Sequence, residues 1–292
     1  MFDLRYHVAS LAAVFLALII GILVGVGIAS QTSVEESERR VLEQRISDLQ
    51  RDLDGARSQV DLLQRQQEAG TSYIEETYPV VMNGRLRGVP VALLFVGPAR
   101  PELEDAVTRT LSDASGPELV RKRALKLPID TQALYSAIPS EAGNPTLEEI
   151  GRQLGRELVV GGETPYWDAL APVIVEDSQG GSGREVEAVT VAQTAAIDHP
   201  PTARLLAGLY AGLAGRGVPV VGIERTEDKR SLVPVYRRRG LSSVDSVDTL
   251  LGRVALAVLL AGGEEGDYGV KSTADAVVPP MEPLPLAPPP GG

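Results

Sequence analysis

The sequence contains no cysteine and only two histidines, His7 and His199. Without cysteine there is no disulfide framework, thiolate nucleophile, iron–sulfur site or zinc ribbon. Two histidines cannot build a multi-histidine metal site within one protomer. No G-x-S-x-G or H-E-x-x-H motif occurs, and the turn at 97–101 (GPARP) has one glycine, which excludes a P-loop or dinucleotide fingerprint. We therefore predict a binding or scaffolding module, not an enzyme, with no tightly bound cofactor.

Basic residues are in the minority: 28 Lys and Arg against 39 Asp and Glu, for a formal net charge of -11. General binding to nucleic acid needs a basic surface that replaces counterions, so we expect no nucleic-acid partner. Hydrophobic residues make up 43% of the chain, which is enough to bury a core.

A long uncharged segment runs from Val8 to Val34. Its apolar part is about 22 residues, or roughly 33 Å of helix, which is enough to cross a membrane. Residues 1–34 are thus predicted to be a short tail and a transmembrane anchor. The alternative is a cleaved signal peptide, because Gly27-Ile28-Ala29 resembles a cleavage site; the apolar stretch is, however, longer than the usual core of about 7–15 residues. We favour a single-pass anchor in a membrane of the cell envelope.

The orientation of this anchor is not decided by a count of Lys and Arg, because basic residues flank both sides. The seven-residue leading tail is too short to fold into a cytoplasmic domain, whereas the large acidic portion must lie on one side of the membrane. We therefore place the N-terminus in the cytoplasm and the bulk of the chain in an extracytoplasmic position.

Small residues recur at every fourth position of the span, among them Ala17, Gly21, Gly25 and Ala29. Such rows let two helices pack closely in lipid. Apolar spans rich in Ala and Gly also produce them by chance. The row is a pointer to packing between membrane helices.

Residues 35–70 are predicted to form a coiled-coil stalk. Apolar residues there are spaced alternately four and three apart, which is a heptad seam. The seam consists of Leu42, Ile46, Leu49, Leu53, Ala56, Val60 and Leu63. This pattern favours a homodimer or higher oligomer; the alternative is that the helix packs back on its own domain. We expect the helix to end at Gly70-Thr71-Ser72, with at most a short helix before Pro79.

Residues 71–275 are predicted to be an extracytoplasmic α/β domain with a doubly wound, mostly parallel sheet, because apolar runs alternate with helical patterns. The predicted strands are 89–96, 118–127, 172–175, 187–193, 218–223 and 241–244. The predicted helices are 101–114, 146–158, 202–214 and 247–260. Residues 276–292 are predicted to be a Pro-rich disordered tail.

Ligands of open parallel sheets bind beyond the carboxyl ends of the strands. Asp198 and His199 lie at one such end and are weak candidates for a metal site. The alternative is that they belong to a solvated loop before Pro200-Pro201.

The opening segment MFDLRYHVASLAAVFLALIIGILVGVGI resembles the N-terminal signature of the actinobacterial copper transporter family, the MctB-like proteins. The similarity continues through VPVALLFVGPA, VPVVGIE, SSVDSVDTLLGRVALAVLLAGG and GDYGV. It implies an envelope protein of copper homeostasis, with copper as ligand or cargo and channel activity at the outer membrane. It also implies links to cell separation, through partners that control peptidoglycan hydrolases.

The residues themselves support the envelope location better than copper binding. Copper(I) prefers thiolate and thioether ligands, but Met1, Met82 and Met281 are far apart in sequence. The strands are also too short and too apolar on both faces for a membrane barrel, so a pore would need oligomerised N-terminal helices. Two functions follow: a channel or accessory in copper efflux, or a non-catalytic coiled-coil envelope scaffold that acts through a protein partner.

Overall fold

The structure is a computed structural model that describes residues 4–138, 143–181 and 183–281, without the side chains of residues 4–6 and 28–37. The chain divides into two compact units, Met1–Thr71 and Ser72–Gly292.

The first helix, α1, spans Leu4–Met82. In the first unit, residues His7–Gly27 are long and apolar enough to cross a membrane, with a mean hydropathy of 2.8 and none of the segment buried. This fits the predicted single-pass span, because a buried core helix would be covered by its own domain.

The prediction that the helix ends at 70–72 and that Pro79 stops it was wrong, because α1 continues to Met82 with Pro79 inside it. Pro79 lies on an exposed turn, where the carbonyl deprived of its partner can be solvated. Contacts within the second unit hold the last turn: Met82 is fully buried and the Tyr78 hydroxyl donates to Asp113 Oδ2 at 2.5 Å. Tertiary packing therefore overrides the local breakers.

The second unit contains a seven-stranded sheet, as its predicted mixed α/β class requires. The strands are β1 (Val91–Val96), β2 (Arg121–Leu125), β3 (Val175–Gln179), β4 (Ala188–Gln193), β5 (Val220–Ile223), β6 (Ser242–Val244) and β7 (Asp267–Tyr268). Their order is β3-β2-β1-β4-β5-β6-β7. All neighbouring pairs are parallel except β2 and β3, which are antiparallel. The predicted mostly parallel sheet is confirmed.

Seven further helices belong to the described part of this unit. They are α2 (Pro101–Asp113), α3 (Thr131–Ala137), α4 (Leu147–Val159), α5 (Pro165–Ile174), α6 (Pro200–Ala214), α7 (Val233–Arg238) and α8 (Leu250–Leu260). The strand predicted at 172–175 was wrong, since Pro172 lies in α5 and β3 begins at Val175. Trp167, Leu170 and Ile174 are buried at helical spacing, which explains the helix.

Both faces of the sheet are covered, so its strands read as continuous apolar runs. In β1, Val91, Leu93 and Phe95 point into a core shared with α2 and α8. Ala92, Leu94 and Val96 point into a second core shared with α4, α5 and α6. This alternation follows from the two-residue period of a strand and makes the sheet doubly wound.

Helices α4 and α6 meet through glycines on both sides. A Cβ on Gly151 would lie 1.9 Å from the Leu205 carbonyl oxygen, and one on Gly155 would lie 2.2 Å from the Leu209 carbonyl oxygen. Gly208 and Gly212 of α6 similarly contact the backbone of α4. The two backbones are thus in direct contact, which sets the position of α6 against α4 on this face of the sheet.

The end of the described chain remains in contact with the sheet. Ala276 forms a bridge with Tyr268, and Val278 packs against the first core. Residues 282–292 of the predicted tail lie outside the described residues.

Candidate functional site

The predicted heptad seam of the first unit is exposed along the helix. Exposed fractions range from 51% at Leu53 to 67% at Leu49, and Leu42, Ile46, Ala56, Val60 and Leu63 are exposed as well. An apolar row of this length is a surface that a partner helix could cover. Its self-association stays a prediction.

The predicted membrane-packing row also faces outward in a single chain. Ala17 is exposed, and a Cβ on Gly21 or Gly25 would meet nothing within 4 Å. Ala29, the fourth member, lies among the residues whose side chains are not described. The described members leave room for a second backbone to approach.

The direction in which the chain adds strands to the sheet reverses between β1 and β4. From β1 the chain passes to β2 on one side, and from β4 it passes to β5 on the other. Open α/β sheets form their ligand crevice at such a switch point. Here the turns after β1 and β4 touch: Gly97 has a φ of +118°, and a Cβ on it would lie 2.7 Å from Ala195 Cβ. The crevice is therefore displaced toward β4 and β5.

An open cavity of about 570 Å³ lies on that side. It is built from the N-terminus of α2, the loop after β4, the loop after β5, and α7 with the residue after it. Its charged and amide-bearing lining is Arg100, Gln193, Asp198, Asp228, Lys229, Arg230, Arg238 and Arg239. Five cations thus face two carboxylates, in a chain whose overall charge is negative.

One of those carboxylates is already neutralised. Asp228 accepts from Arg100 Nη1 at 3.3 Å and from the Arg225 backbone N–H at 2.9 Å. Arg239 lies 5.7 Å from the centre of the Tyr210 ring. Among the described residues, Lys229, Arg230, Arg238 and Arg239 form no ion pair. The cavity consequently presents a surplus of positive charge.

The two candidate metal ligands, Asp198 and His199, are placed side by side but in different roles. Asp198 lines the cavity, whereas His199 immediately precedes α6, and its Nδ1 lies 3.1 Å from Thr202 Oγ1. Thr202 Oγ1 also accepts from the Ile129 backbone N–H at 3.1 Å. These hydrogen bonds connect the loop before α3 to the start of α6.

A copper ion would need more donors than these. Within the described residues, no group of three His, Cys, Asp or Glu side chains could hold a metal. Met82 is fully buried in the core and unavailable as a thioether ligand on the surface. The described part of a single chain therefore does not fit a resident copper centre, and the metal role of Asp198 and His199 stays a prediction.

A buried charge network near the cavity was missed by sequence reasoning. The Glu224 carboxylate is 1% exposed and accepts from Ser231 Oγ at 2.8 Å and from Lys271 Nζ at 3.0 Å. Lys271 Nζ also donates to the carbonyl oxygens of Arg225 at 2.7 Å and Asp228 at 3.0 Å. This network holds the loop after β5, and therefore one wall of the cavity, in place.

Two further carboxylates fasten the GDYGV segment. Asp245 is fully buried and accepts from the backbone N–H groups of Val270, at 2.8 Å, and Lys271, at 3.0 Å. Gly269 has a φ of +144°, and a Cβ there would collide with Asp245. Asp267 accepts from Arg237 Nε at 2.6 Å, and this hydrogen bond raises the pKa of the guanidinium. The position of Asp245 directly after the predicted strand 241–244 was the available signal.

Tyr236 ties β4 to β5 beneath these loops. Its hydroxyl accepts from the Gln193 N–H at 2.9 Å and donates to the Ile223 carbonyl at 3.2 Å. Its ring fills the space above Gly222, where a Cβ would lie 2.4 Å from the ring. Complete burial raises the pKa of this phenol, so it stays neutral and serves as a hydrogen-bonding tie.

Comparison with known proteins covers both units. Residues 1–125 and 137–279 match the family described as copper transport outer membrane protein, MctB. The copper transporters MctB of Mycobacterium tuberculosis and Mycobacterium bovis are each 26% identical to this chain over 329 aligned positions. Each alignment covers 95% of this chain and 99% of the relative.

Proposed function

The chain belongs to the MctB family of copper transport outer membrane proteins, and on that premise we propose that it takes part in copper efflux from a membrane of the cell envelope. The observation that carries this proposal is the extent of the match, which includes the apolar span as well as the sheet domain. Copper is then the transported species and not a resident cofactor, in keeping with the absence of a three-ligand group in the described residues.

The conducting part is formed by several copies of the N-terminal span. The sheet domain is an unsuitable conduit because both of its faces are filled by helices and side chains. The span instead carries small residues on one row, including Gly21 and Gly25, with nothing near them in a single chain. Close approach of backbones at this row would assemble a helical pore or its accessory anchor.

The protein is oriented with its N-terminus in the cytoplasm and the sheet domain outside. The large acidic domain supports this orientation, because it needs a compartment in which to be displayed. An enzymatic role is not part of the proposal, because the span and the family match motivate transport and the sequence has no catalytic signature.

The alternative function is a non-catalytic scaffold that regulates cell separation or peptidoglycan hydrolases through another envelope protein. The observation that favours it is the exposed heptad seam, whose seven apolar residues extend over three heptads. A parallel homodimer would bury this row and present two sheet domains to one partner.

A planar-bilayer recording with copper salts separates the two functions. Full-length protein should conduct ions, and Gly21→Ile/Gly25→Ile should abolish conductance because the span can no longer pack closely. The matched variant Leu49→Asp/Leu53→Asp disrupts the seam and leaves the span intact. Silent bilayers with the unaltered protein, together with a cell-separation defect in the seam variant alone, would favour the scaffold and refute the channel.

A further inference from the structure

We propose that the cavity at the carboxyl edge of the sheet binds a small phosphate-bearing molecule. The cavity has about 570 Å³, within the range of small-molecule sites, and lies where open α/β sheets place their ligands. This site is independent of copper transport, since its charge repels a metal cation.

The charge of the lining selects an anion. With Asp228 paired to Arg100, the cations Lys229, Arg230, Arg238 and Arg239 face one remaining carboxylate, Asp198. Guanidinium groups match phosphate oxygens with two parallel N–H donors, and lysine supplies a compact charge. These four cations lie within residues 229–239, so one segment of the chain concentrates positive charge in the cavity against the net charge of -11.

A neutral side chain also favours such a ligand. The Gln193 side chain lines the cavity, and its buried Oε1 accepts no hydrogen bond among the described residues. A hydroxyl group of the ligand would satisfy that acceptor.

The binding mode differs from that of a dinucleotide fold. Because the turn at Gly97 is packed against Thr194 and Ala195, no phosphate can lie between the two turns. Side chains, not a glycine-rich backbone loop, hold the anion. This explains how a phosphate site can exist in a sequence with neither a P-loop nor a G-x-G-x-x-G motif.

The test is isothermal titration of the full-length protein in a non-ionic detergent with inorganic pyrophosphate at constant ionic strength. Arg230→Gln/Arg238→Gln should weaken binding by roughly tenfold or more, because charge-assisted hydrogen bonds are lost. Arg204→Gln removes an exposed cation of α6 outside the cavity and should leave the affinity within about twofold of the original. Fluorescence of the single tryptophan, Trp167, verifies folding of each variant.

Three results would overturn the assignment. The first is that pyrophosphate does not bind. The second is that it binds the original protein and both variants equally, which would show that the cations of the cavity act only as solvated surface charges. The third comes from a separate titration, which compares soluble glycerol phosphate with dihexanoyl phosphatidylglycerol. Tighter binding of the short-chain lipid than of glycerol phosphate would show that a lipid headgroup, and not a soluble small molecule, is the phosphate source.

Discussion

Replacement of Gly151 by alanine tests the contact between α4 and α6. The added Cβ would lie 1.9 Å from the Leu205 carbonyl oxygen and 2.8 Å from the Leu209 nitrogen, whereas real Cβ contacts are essentially never under 3.0 Å. The helices must therefore separate by about 1 Å or more, and overpacking of this kind costs about 1–3 kcal/mol. Alanine regains about 0.5–1 kcal/mol of helix propensity. We expect a net loss of about 1–2 kcal/mol in the free energy of unfolding.

Urea unfolding followed by Trp167 fluorescence measures this loss. Trp167 is buried in the same core, and its Nε1 donates to the Leu154 carbonyl of α4 at 2.8 Å. With a typical slope, the midpoint should fall by roughly 0.5–1 M. The matched control is Gly70→Ala, a helical glycine with nothing within 4 Å of its Cβ position, which should not destabilise the sheet domain.

The double variant Gly151→Ala/Gly208→Ala sharpens the test. A Cβ on Gly208 would lie 2.0 Å from the Glu148 carbonyl oxygen in the same interface. Once the helices have separated for one methyl group, the second costs less, so the combined loss should be smaller than the two single losses together. A Gly151→Ala protein as stable as the original would refute the close contact.

The remaining predictions concern charge, assembly and pH. Lys271→Met leaves the buried Glu224 carboxylate without its cation and should cost about 3–5 kcal/mol in urea unfolding; a change under about 1 kcal/mol would contradict the network. If the seam holds two chains together, Leu49→Asp/Leu53→Asp should lower the mass of the assembly in sedimentation-velocity runs in detergent, and an unchanged mass would exclude the seam as a cause of assembly. Burial raises the pKa of Tyr210 to about 12 from 10.0. The folded state therefore holds this proton more tightly, and its contribution is complete below pH 10 and lost as pH rises through about 12. Tyr210→Phe should reduce the slope of stability against pH in that window, whereas an unaltered slope would show that the phenol does not contribute.

The sheet could be predicted from sequence wherever burial dictates composition. The run VALLFV of β1 is apolar at every position because both faces of the strand are covered, and such a run between turn residues signals a buried strand. The apolar helix at His7–Gly27 could be predicted equally well, since its length and lack of charge are those that a lipid environment requires.

Prediction failed where local signals were overruled by distant contacts. Pro79 and Gly70 suggested that the helix ends, but the last turn of α1 is stabilised by Met82, which is buried in the first core, and by Tyr78, which packs against that core. The segment at 172–175 had strand composition, yet its apolar residues complete the buried face of α5. Short-range patterns do not reveal which tertiary contacts will hold such a segment.

The candidate site was the least predictable part. The basic residues of 229–239 are adjacent in sequence, but only the order of the strands brings this segment beside Arg100 and the loop after β4. The buried Glu224 carboxylate pairs with Lys271, which is 47 residues away in sequence. Non-local pairings of this kind depend on topology, which periodicity does not encode.

The central claim, that this family member exports copper, is tested most directly by the copper content of intact cells. In copper-supplemented medium, cells that lack the protein should accumulate more copper, measured by mass spectrometry, and expression of the full chain should restore the original level. Equal copper in cells with and without the protein, at matched growth, would contradict the account.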